Sequence, residues 1–540
     1  MPTNILSKEQ YLEDRNNLIE ADRSLRRDRA SIQARSALEA EADEIIRRIR
    51  TEEATSIWRA EHPDIPHPFP GMEFLTGKQV IEETRIFEIL SRMPKGALLH
   101  IHIGATVNTR TLLALALQQP AIHIRVPQLL SVENISSVLP EFMSLPTGSY
   151  NLDGESVSSN EYLPNTWVNA ARARERFDPS LGGPEGFDRW IVNAMTLTPL
   201  EAYGTHNTVT KRLVHFLPIF KQYLRIFLLA SVDDGISYVE VRMDFYFAKD
   251  LISADGKRTV THREVLELFD ATVNEVKGEL VRENRGHKFL GARIIYTAFR
   301  ALDPKDLYYY VDDCLNLKKE FPHIIAGAAI LDRLSKRSLN QTEPGFDLVG
   351  NEDELRPLID YIEPLLYFRK RQAQESVEIP FLFHAGETLG DGNLTDDNMY
   401  DALLLGTRRI GHGFSLVKHP KLLQACRERN ILLEVCPISN EVLRLTSSMP
   451  THPLPTIINH GVPVALCSDG PSVFGNMGLT YDFFQLLVSS EITGLSTLGV
   501  LARDSIQFSM MLTDEKQIAL EIWEAEWSEF LQFIVAHYKQ

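Results

Sequence analysis

The chain has 540 residues and a formal net charge of −17 at pH 7, with an isoelectric point near 5.5. This length exceeds one ordinary core, so we expect either one large domain with additions or two domains. The negative charge argues against nucleic acids and anionic membranes as partners, because both would be repelled at long range. A small neutral or cationic ligand is compatible with it.

The cysteines and the amino-terminal sequence bear on the cellular compartment of the protein. Cys314, Cys426, Cys436 and Cys467 are scattered and form no CxxC pair, which argues against a disulfide framework and a sulfur-based zinc site. The amino terminus shows no basic patch followed by an apolar core. No apolar run approaches the length of a membrane span. These features predict a cytoplasmic protein in a reducing environment.

The first 78 residues form a candidate helical arm. From Ser7 onward the chain is dense in good helix formers, and Ser7 with Gln10 makes a capping-box pattern, so we predict one long helix. The Pro-rich segment 60–71 ends it and marks the first boundary. Such a charged helix is either simply solvated or packs on a partner subunit, which would make the protein a homodimer.

Beyond the arm, residues 79–540 show short aliphatic runs that alternate with helical patterns. The predicted strands are 97–102, 237–243, 292–298, either 323–331 or 345–350, 380–386, 408–413, 431–437 and 462–470. Eight strands with helical crossovers predict an α/β fold of the closed (β/α)8 type, a TIM-type barrel. Burial on both faces explains why the runs are continuously apolar.

Two segments exceed a minimal barrel. Residues 118–204 are rich in Pro, Ser, Asn and Gly and too long for a loop, so we predict an inserted subdomain after the first strand. A second insertion, 328–344, separates the two candidates for the fourth strand.

Ionisable residues stand at the ends of four predicted strands, where barrel enzymes carry their reactive groups. They are His100 and His102 on the first strand, His384 on the fifth with Glu387 three residues later, His412 on the sixth and Asp469 on the eighth. Side chains alternate along a strand, so the two histidines of the first strand point to the same side, into the barrel.

Each of these residues alone has an ordinary structural explanation as a hydrogen-bonded side chain, a turn or a cap. Together they would place several polar groups in one apolar mouth of the barrel, where burial without a partner costs free energy. Metal coordination relieves that cost. Three imidazoles and one carboxylate suit Zn²⁺, with Fe²⁺ or Co²⁺ as less favoured occupants. His412 would then orient or deprotonate a metal-activated water, and Glu387 would deliver a proton to the substrate.

Six blocks of the sequence carry a family resemblance. They are MPKGALLHIH, FDLVGNED, PFLFHAGET, RIGHGFSLVKHP, EVCPISNEVL and SDGPSVFGNMGLTYDF, in this order from about residue 79 to the carboxyl terminus. The chain resembles the adenosine deaminase superfamily of metal-dependent hydrolases, and more closely its growth-factor-like branch. The helical arm and the first insertion resemble the dimerisation and substrate-rim additions of that branch.

The resemblance implies an activity and a role for each residue. It implies hydrolytic deamination of an aminopurine nucleoside or a related amino-heterocycle, with one zinc ion held by His100, His102, His384 and Asp469. Glu387 would protonate the purine nitrogen next to the attacked carbon, while His412 steers the hydroxide. Gly350 would offer its backbone to the purine.

Two departures from the family pattern fall on substrate-binding carboxylates. Gly470 stands where the family has an acidic residue that contacts the five-membered ring, and Gly104 lies in the run after His102 where a ribose-binding acid is usual. The loss of such hydrogen bonds typically costs on the order of 1 to 3 kcal/mol each in discrimination.

Three interpretations follow from these departures. The chain is a deaminase with another substrate, a deaminase whose neighbouring residues compensate, or a zinc-stabilised binding or signalling protein without turnover. The other kind of zinc deaminase is excluded, since no PCxxC occurs. The resembled branch is often secreted, which makes an extracellular location the alternative to a cytoplasmic one.

Overall fold

The computed structural model describes residues 7–63, 65–150, 152–197, 212–248, 250–325 and 345–539. Its strands, in chain order, are β1 Gly96–His102, β2 Ile122–Arg125, β3 Glu141–Ser144, β4 Val168–Asn169, β5 Ile236–Asp244, β6 Gly291–Phe299, β7 Phe346–Val349, β8 His384–Ala385, β9 Arg409–His412, β10 Leu432–Val435 and β11 Val464–Leu466.

Eight of these strands form a closed parallel barrel. Four pair in the order β1-β5-β6-β7 and four in the order β8-β9-β10-β11, with parallel pairing between neighbours. Single parallel bridges join the two sheets at both seams, Ile101 to Asp469 and Phe346 to Phe381. The predicted TIM-type α/β architecture is confirmed, and all eight strands end at one mouth.

The α-helices lie mainly between the strands along the chain. Their bounds are Lys8–Arg23, Arg29–Ala34, Ala37–Ser56, Phe74–Glu82, Arg85–Ser91, Thr109–Leu117, Ala170–Glu175, Gly183–Met195, Leu217–Asp233, Phe245–Ala248, His262–Arg282, Leu307–Glu320, Ile362–Glu375, Asn398–Leu404, Pro420–Glu428, Pro437–Val442, Leu454–Asn459, Thr480–Val488, Leu495–Gln507 and Thr513–Tyr538. The helix Leu495–Gln507 packs on β1 and β11 and buries most of its side chains. No helix in the described ranges has a stretch both long and apolar enough to span a bilayer.

The bounds of the fourth and fifth barrel strands can be compared with the bounds predicted from the sequence. Of the two candidates for the fourth strand, 345–350 is the strand β7, while Ile325 makes only one bridge to Ile294. Residues 326–344, which include the predicted second insertion, lie outside the described residues. The predicted strand 380–386 is reduced to the two residues of β8 and a bridge at Phe381, because this run pairs only locally with its neighbours.

The amino-terminal region is three helices, so the prediction of one long helix is wrong. The helix Lys8–Arg23 begins at Ser7, whose hydroxyl accepts from the Gln10 N–H at 3.2 Å. The chain then turns because buried Arg26 pairs with Asp28 at 2.6 Å and Arg27 pairs with Asp504 of the barrel at 2.6 Å. A third helix, Ala37–Ser56, packs on the carboxyl-terminal helix Thr513–Tyr538.

The segment after β1 contains its own small sheet. Strand β2 pairs antiparallel with β3 and β4, and the helices Ala170–Glu175 and Gly183–Met195 follow. Of the predicted insertion 118–204, residue 151 and residues 198–204 lie outside the described residues.

Candidate metal centre and active site

Four predicted ligands converge at the barrel mouth. The His102 Nε2 lies 3.3 Å from the His384 Nε2 and 3.2 Å from the Asp469 Oδ1, and the His100 Nε2 lies 3.6 Å from the same carboxylate oxygen. Three of these side chains come from strands β1 and β8, and Asp469 follows β11. The three histidines form a cluster of donor atoms able to hold one metal ion.

The donor atoms fit a tetrahedral zinc site. Ligands at about 2.0 to 2.1 Å from a tetrahedral ion stand roughly 3.3 Å apart, close to the separations of 3.2 and 3.3 Å found here. The Nε2 atom of His100 is buried and has no hydrogen-bond partner among the described residues. Buried polar atoms normally have a partner, so this donor set is consistent with a bound cation.

Two buried carboxylates orient two of the histidines. The Nδ1 of His100 donates to the Glu434 Oε2 at 2.9 Å, and the Nδ1 of His384 donates to the Asp347 Oδ2 at 2.6 Å. Each Nε2 therefore keeps its lone pair and points it towards the cluster. Burial lowers the pKa of His384 to about 3, which keeps this ring neutral and able to bind a metal.

A fully buried ionic layer lies beneath the histidines. Arg242 bridges both carboxylates, at 2.8 Å to Asp347 and 2.7 Å to Glu434, and Arg409 joins Glu434 to Glu240 at 2.6 Å each. Although burial acts in the opposite direction, the two arginines hold the pKa of Glu434 well below its usual range. The layer therefore keeps the carboxylates ionised and fixed beneath the metal ligands.

The predicted catalytic pair lies beside this cluster. The Glu387 Oε1 is 3.1 Å from the His412 Nδ1, and the Nε2 of His412 is buried without a hydrogen-bond partner in the described structure. Burial raises the pKa of Glu387 well above its usual range and lowers the pKa of His412 well below its usual range. Both shifts favour the uncharged forms, in which the carboxyl group can donate a proton and the imidazole can accept one.

A second carboxylate holds the turn that carries Glu387. The buried Glu352 accepts from the N–H groups of Gly386 at 3.3 Å and Glu387 at 3.1 Å, and from the Asn398 side chain at 2.7 Å. This arrangement fixes the backbone of the HAGE turn immediately after β8. Glu387, the predicted general acid, is thus placed by the backbone and not only by its own side chain.

Two site residues adopt left-handed backbone conformations. His412 has φ 65° and Asp469 has φ 56°, values that are uncommon outside glycine. Both stand where a strand turns into a loop at the mouth. Strain of this kind concentrates at functional sites because it aims a side chain.

The cluster forms the floor of a cavity of about 690 Å³. His102, His384, Glu387, His412 and Asp469 line it, and its walls include Val214, Phe220, Met243, Leu251, Phe299, Leu443 and Leu445. A cavity of this size, apolar with a few convergent polar groups, is typical of small-molecule sites.

The predicted substrate-binding glycines take different places. Gly104 and Gly350 line the cavity, whereas Gly470 does not. A Cβ at Gly104 would meet no atom within 4 Å, and one at Gly470 would lie 3.3 Å from the Ala105 Cβ. Gly350 has φ 122°, which favours glycine.

Sequence reasoning missed the supporting residues. Asp347, Glu434 and Arg242 are charged residues within otherwise apolar strands, and each is almost fully buried. A charge in a buried strand signals an internal partner, so this signal was present in the sequence. The pairing itself was not visible, because it depends on which strands face each other across the barrel.

The site and the fold define a class of protein. A parallel eight-stranded barrel with three histidines and a carboxylate clustered at its mouth is the arrangement of a metal-dependent hydrolase.

Comparison with known proteins identifies the family. The family described as adenosine deaminase matches residues 315–524. The adenosine deaminase 2 proteins of Sus scrofa and Homo sapiens are each 31% identical, over 477 and 480 residues, covering 86% of this chain and 84% and 83% of those proteins. An adenosine deaminase of Lutzomyia longipalpis is 31% identical over 472 residues, covering 84% of this chain and 80% of that protein. This chain belongs to the adenosine deaminase family of hydrolases that act on non-peptide carbon–nitrogen bonds.

A solved structure shares the fold. An amidohydrolase from Burkholderia ambifaria, solved with bound Zn, superposes with a TM-score of 0.52 at 15% identity, covering 86% of this chain and 98% of that one.

Proposed function

We propose that this chain is a zinc-dependent aminohydrolase that removes the exocyclic amino group of an aminopurine nucleoside or a related amino-heterocycle. The observation that carries the proposal is one cavity lined by His102, His384 and Asp469 of the candidate metal cluster together with Glu387 and His412. The adenosine deaminase relatives support the choice of substrate class.

His100, His102, His384 and Asp469 would hold one zinc ion per chain. Zinc is favoured because imidazole nitrogen with one carboxylate is a common ligand set for it, and a related fold carries Zn. When bound, the ion supplies water that ionises near neutral pH.

The protein's own groups then manage the protons. Glu387, whose pKa is raised by burial, gives its proton to the ring nitrogen beside the attacked carbon. His412, whose pKa is lowered by burial, orients the attacking water through its Nε2, which has no hydrogen-bond partner among the described residues. Water adds to the ring carbon and gives one proton to His412, which passes it to the amino group as the carbon–nitrogen bond breaks and ammonia leaves. The second water proton returns to Glu387 as the carbonyl forms.

A zinc-stabilised binding protein without turnover is the alternative. A purely structural ion would not account for an acid and a base of opposite pKa shift on the cavity floor. The first experiment is therefore ammonia release by zinc-loaded protein from adenosine, 2′-deoxyadenosine, adenine, N6-substituted adenosines, adenosine monophosphate and non-purine amino-heterocycles. Release from one of them, lost in Glu387→Gln while zinc and fold remain, supports the proposal. Turnover unchanged in Glu387→Gln contradicts the mechanism.

We also propose that the amino-terminal helix contributes to a homodimer. The helix Lys8–Arg23 buries no residue in the single chain, and it exposes Tyr11 at 59% and Leu18 at 72%. These two positions are one heptad apart and lie on one helix face. Light scattering on the Leu18→Glu variant tests this, since an interface on that face predicts a shift towards monomer.

A further inference from the structure

A histidine, a buried aspartate and an exposed tyrosine form a hydrogen-bonded chain outside the cavity. The Nε2 of His419 donates to both carboxylate oxygens of Asp396 at 3.0 Å. With the proton on that nitrogen, the Nδ1 of His419 is an acceptor, and the Tyr400 hydroxyl donates to it at 3.3 Å. None of the three residues lines the cavity, so this chain is separate from the groups assigned to the candidate active site.

Two neighbouring segments of the barrel supply the three residues. Tyr400 lies in the helix Asn398–Leu404, which follows β8 along the chain. His419 directly precedes the helix Pro420–Glu428, which follows β9, and Asp396 comes two residues before the first of these helices. Because β8 and β9 pair in parallel, the segments that follow them lie side by side.

Asp396 is placed to hold the histidine ring. Its side chain is fully buried, and it also accepts from the Gly392 N–H at 2.9 Å. Although burial acts in the opposite direction, the hydrogen bonds from Gly392 and His419 keep the pKa of Asp396 below its usual value. An ionised carboxylate therefore fixes the orientation of the ring and can stabilise a positive charge on it.

Tyr400 brings a nucleophilic oxygen to the surface at the end of this chain. Tyr400 is 42% exposed, whereas the side chain of His419 behind it is 13% exposed. Leu404 lies four residues later on the same helix face and is 84% exposed, so it offers an apolar surface beside the phenol ring. A nucleophile within hydrogen-bond reach of a base that a third group orients is the pattern of activated nucleophiles in enzymes.

We propose that Tyr400 is a site of covalent acylation, activated by His419 and Asp396, and that it takes acyl groups from activated aryl esters. The phenol oxygen forms a bond to the acyl carbon, and the bond between that carbon and the aryl oxygen breaks. The phenol proton passes to the Nδ1 of His419 and from there to the departing aryl oxygen. The products are an O-acyl tyrosine and a free phenol, and no other reactant is consumed.

The test is peptide mass spectrometry of the full chain after timed exposure to p-nitrophenyl acetate. In wild type we expect an acetyl group on Tyr400 that hydroxylamine removes, since hydroxylamine cleaves phenyl esters and leaves acetyl-lysine intact. Tyr309 is the internal control, because it is 62% exposed and makes no hydrogen bond to a histidine in the described structure. We expect Tyr400 to be acetylated on the order of 100-fold faster than Tyr309.

A matched pair of histidine variants tests the base. In His419→Gln the rate of acetylation of Tyr400 should fall on the order of 100-fold, to about the rate of Tyr309. In His460→Gln, which replaces an exposed histidine outside the chain, the rate should equal that of wild type. Circular dichroism shows whether each variant is folded.

Two results would overturn this inference. The first is acetylation of Tyr400 in wild type at the rate of Tyr309, which needs no variant. The second is an unchanged rate in folded His419→Gln, because the histidine would then not act as the base. Neither readout depends on deamination or on ester hydrolysis at the metal centre, since both follow the label on tyrosine.

Discussion

Two layers of polar side chains lie inside the barrel, and they differ in how their hydrogen-bonding atoms are satisfied. In the lower layer Arg242 and Arg409 pair with three carboxylates at 2.6 to 2.8 Å, so each charge has its partner within the protein. In the upper layer the buried Nε2 atoms of His100 and His412 lack partners within the described structure. A polar layer whose groups are all paired within the protein indicates a structural role. A layer with buried polar atoms that lack a partner indicates a site for a ligand.

The largest effect should come from removing an upper-layer ligand. We expect His384→Ala to lose bound zinc and to reduce ammonia release to background, because three remaining donors hold the ion poorly. The lower layer should keep the barrel folded. Elemental analysis and circular dichroism check both statements. One equivalent of zinc retained in the variant would show that His384 is not a ligand.

A substitution in the lower layer should weaken metal binding by the upper layer indirectly. Asp347→Asn removes the charge that orients His384 and neutralises Arg242. We expect zinc affinity to fall about 10- to 100-fold and the free energy of unfolding to fall by about 3 to 5 kcal/mol. Competitive chelation and urea unfolding measure these quantities.

The matched control for Asp347→Asn is Glu363→Gln, which removes an exposed carboxylate from the helix Ile362–Glu375. This variant should change neither the zinc affinity nor the free energy of unfolding. If Asp347→Asn binds zinc as tightly as wild type, the two layers are independent.

The pH dependence should report the opposite shifts on the cavity floor. Burial raises the pKa of Glu387, so its proton is present below that raised pKa and is lost as pH rises through it. Burial lowers the pKa of His412, so this ring stays neutral until pH falls through its lowered pKa. We expect kcat/KM to decline with a slope of one on the alkaline side. Any residual activity of Glu387→Gln should not decline on the alkaline side. If the decline persists in the variant, a group other than Glu387 causes it.

The smallest effect concerns Gly470, which directly follows the candidate ligand Asp469 and does not itself line the cavity. Gly470 has φ −128°, which any residue adopts, and an added Cβ would lie 3.3 Å from the Ala105 Cβ, so a small shift admits a side chain. We expect Gly470→Asp to raise kcat/KM for adenosine by a hydrogen bond of about 1 kcal/mol, roughly fivefold. No rise would mean that the missing carboxylate does not limit the use of purines.

The upper layer could be predicted from sequence and the lower layer could not. His100 and His102 are two residues apart on a strand, and His412 ends a strand, so alternation and strand ends place them at the mouth. The partners of Arg242 are 105 and 192 positions away along the chain. Their pairing depends on the closure of the barrel, which local pattern does not determine.

The same limit explains the error at the amino terminus. Local propensity favours one helix there, but Arg27 contacts Asp504, 477 positions away, and the chain turns to make that contact. Tertiary contacts of this kind override helix propensity. The bounds of β8 were missed for a related reason, since they depend on pairing with β7 and β9.

The seam between the two four-stranded sheets has a mechanical consequence. Ile101 and Asp469 make the bridge that closes the barrel at β1 and β11, and the Asp469 N–H donates to the His100 carbonyl at 3.2 Å. Two of the candidate ligands, His100 and His102, belong to one sheet, while His384 lies in the other and Asp469 extends it. An ion bound by all four residues would therefore link the two four-stranded sheets directly. Binding the metal and keeping the barrel closed would then depend on the same four side chains.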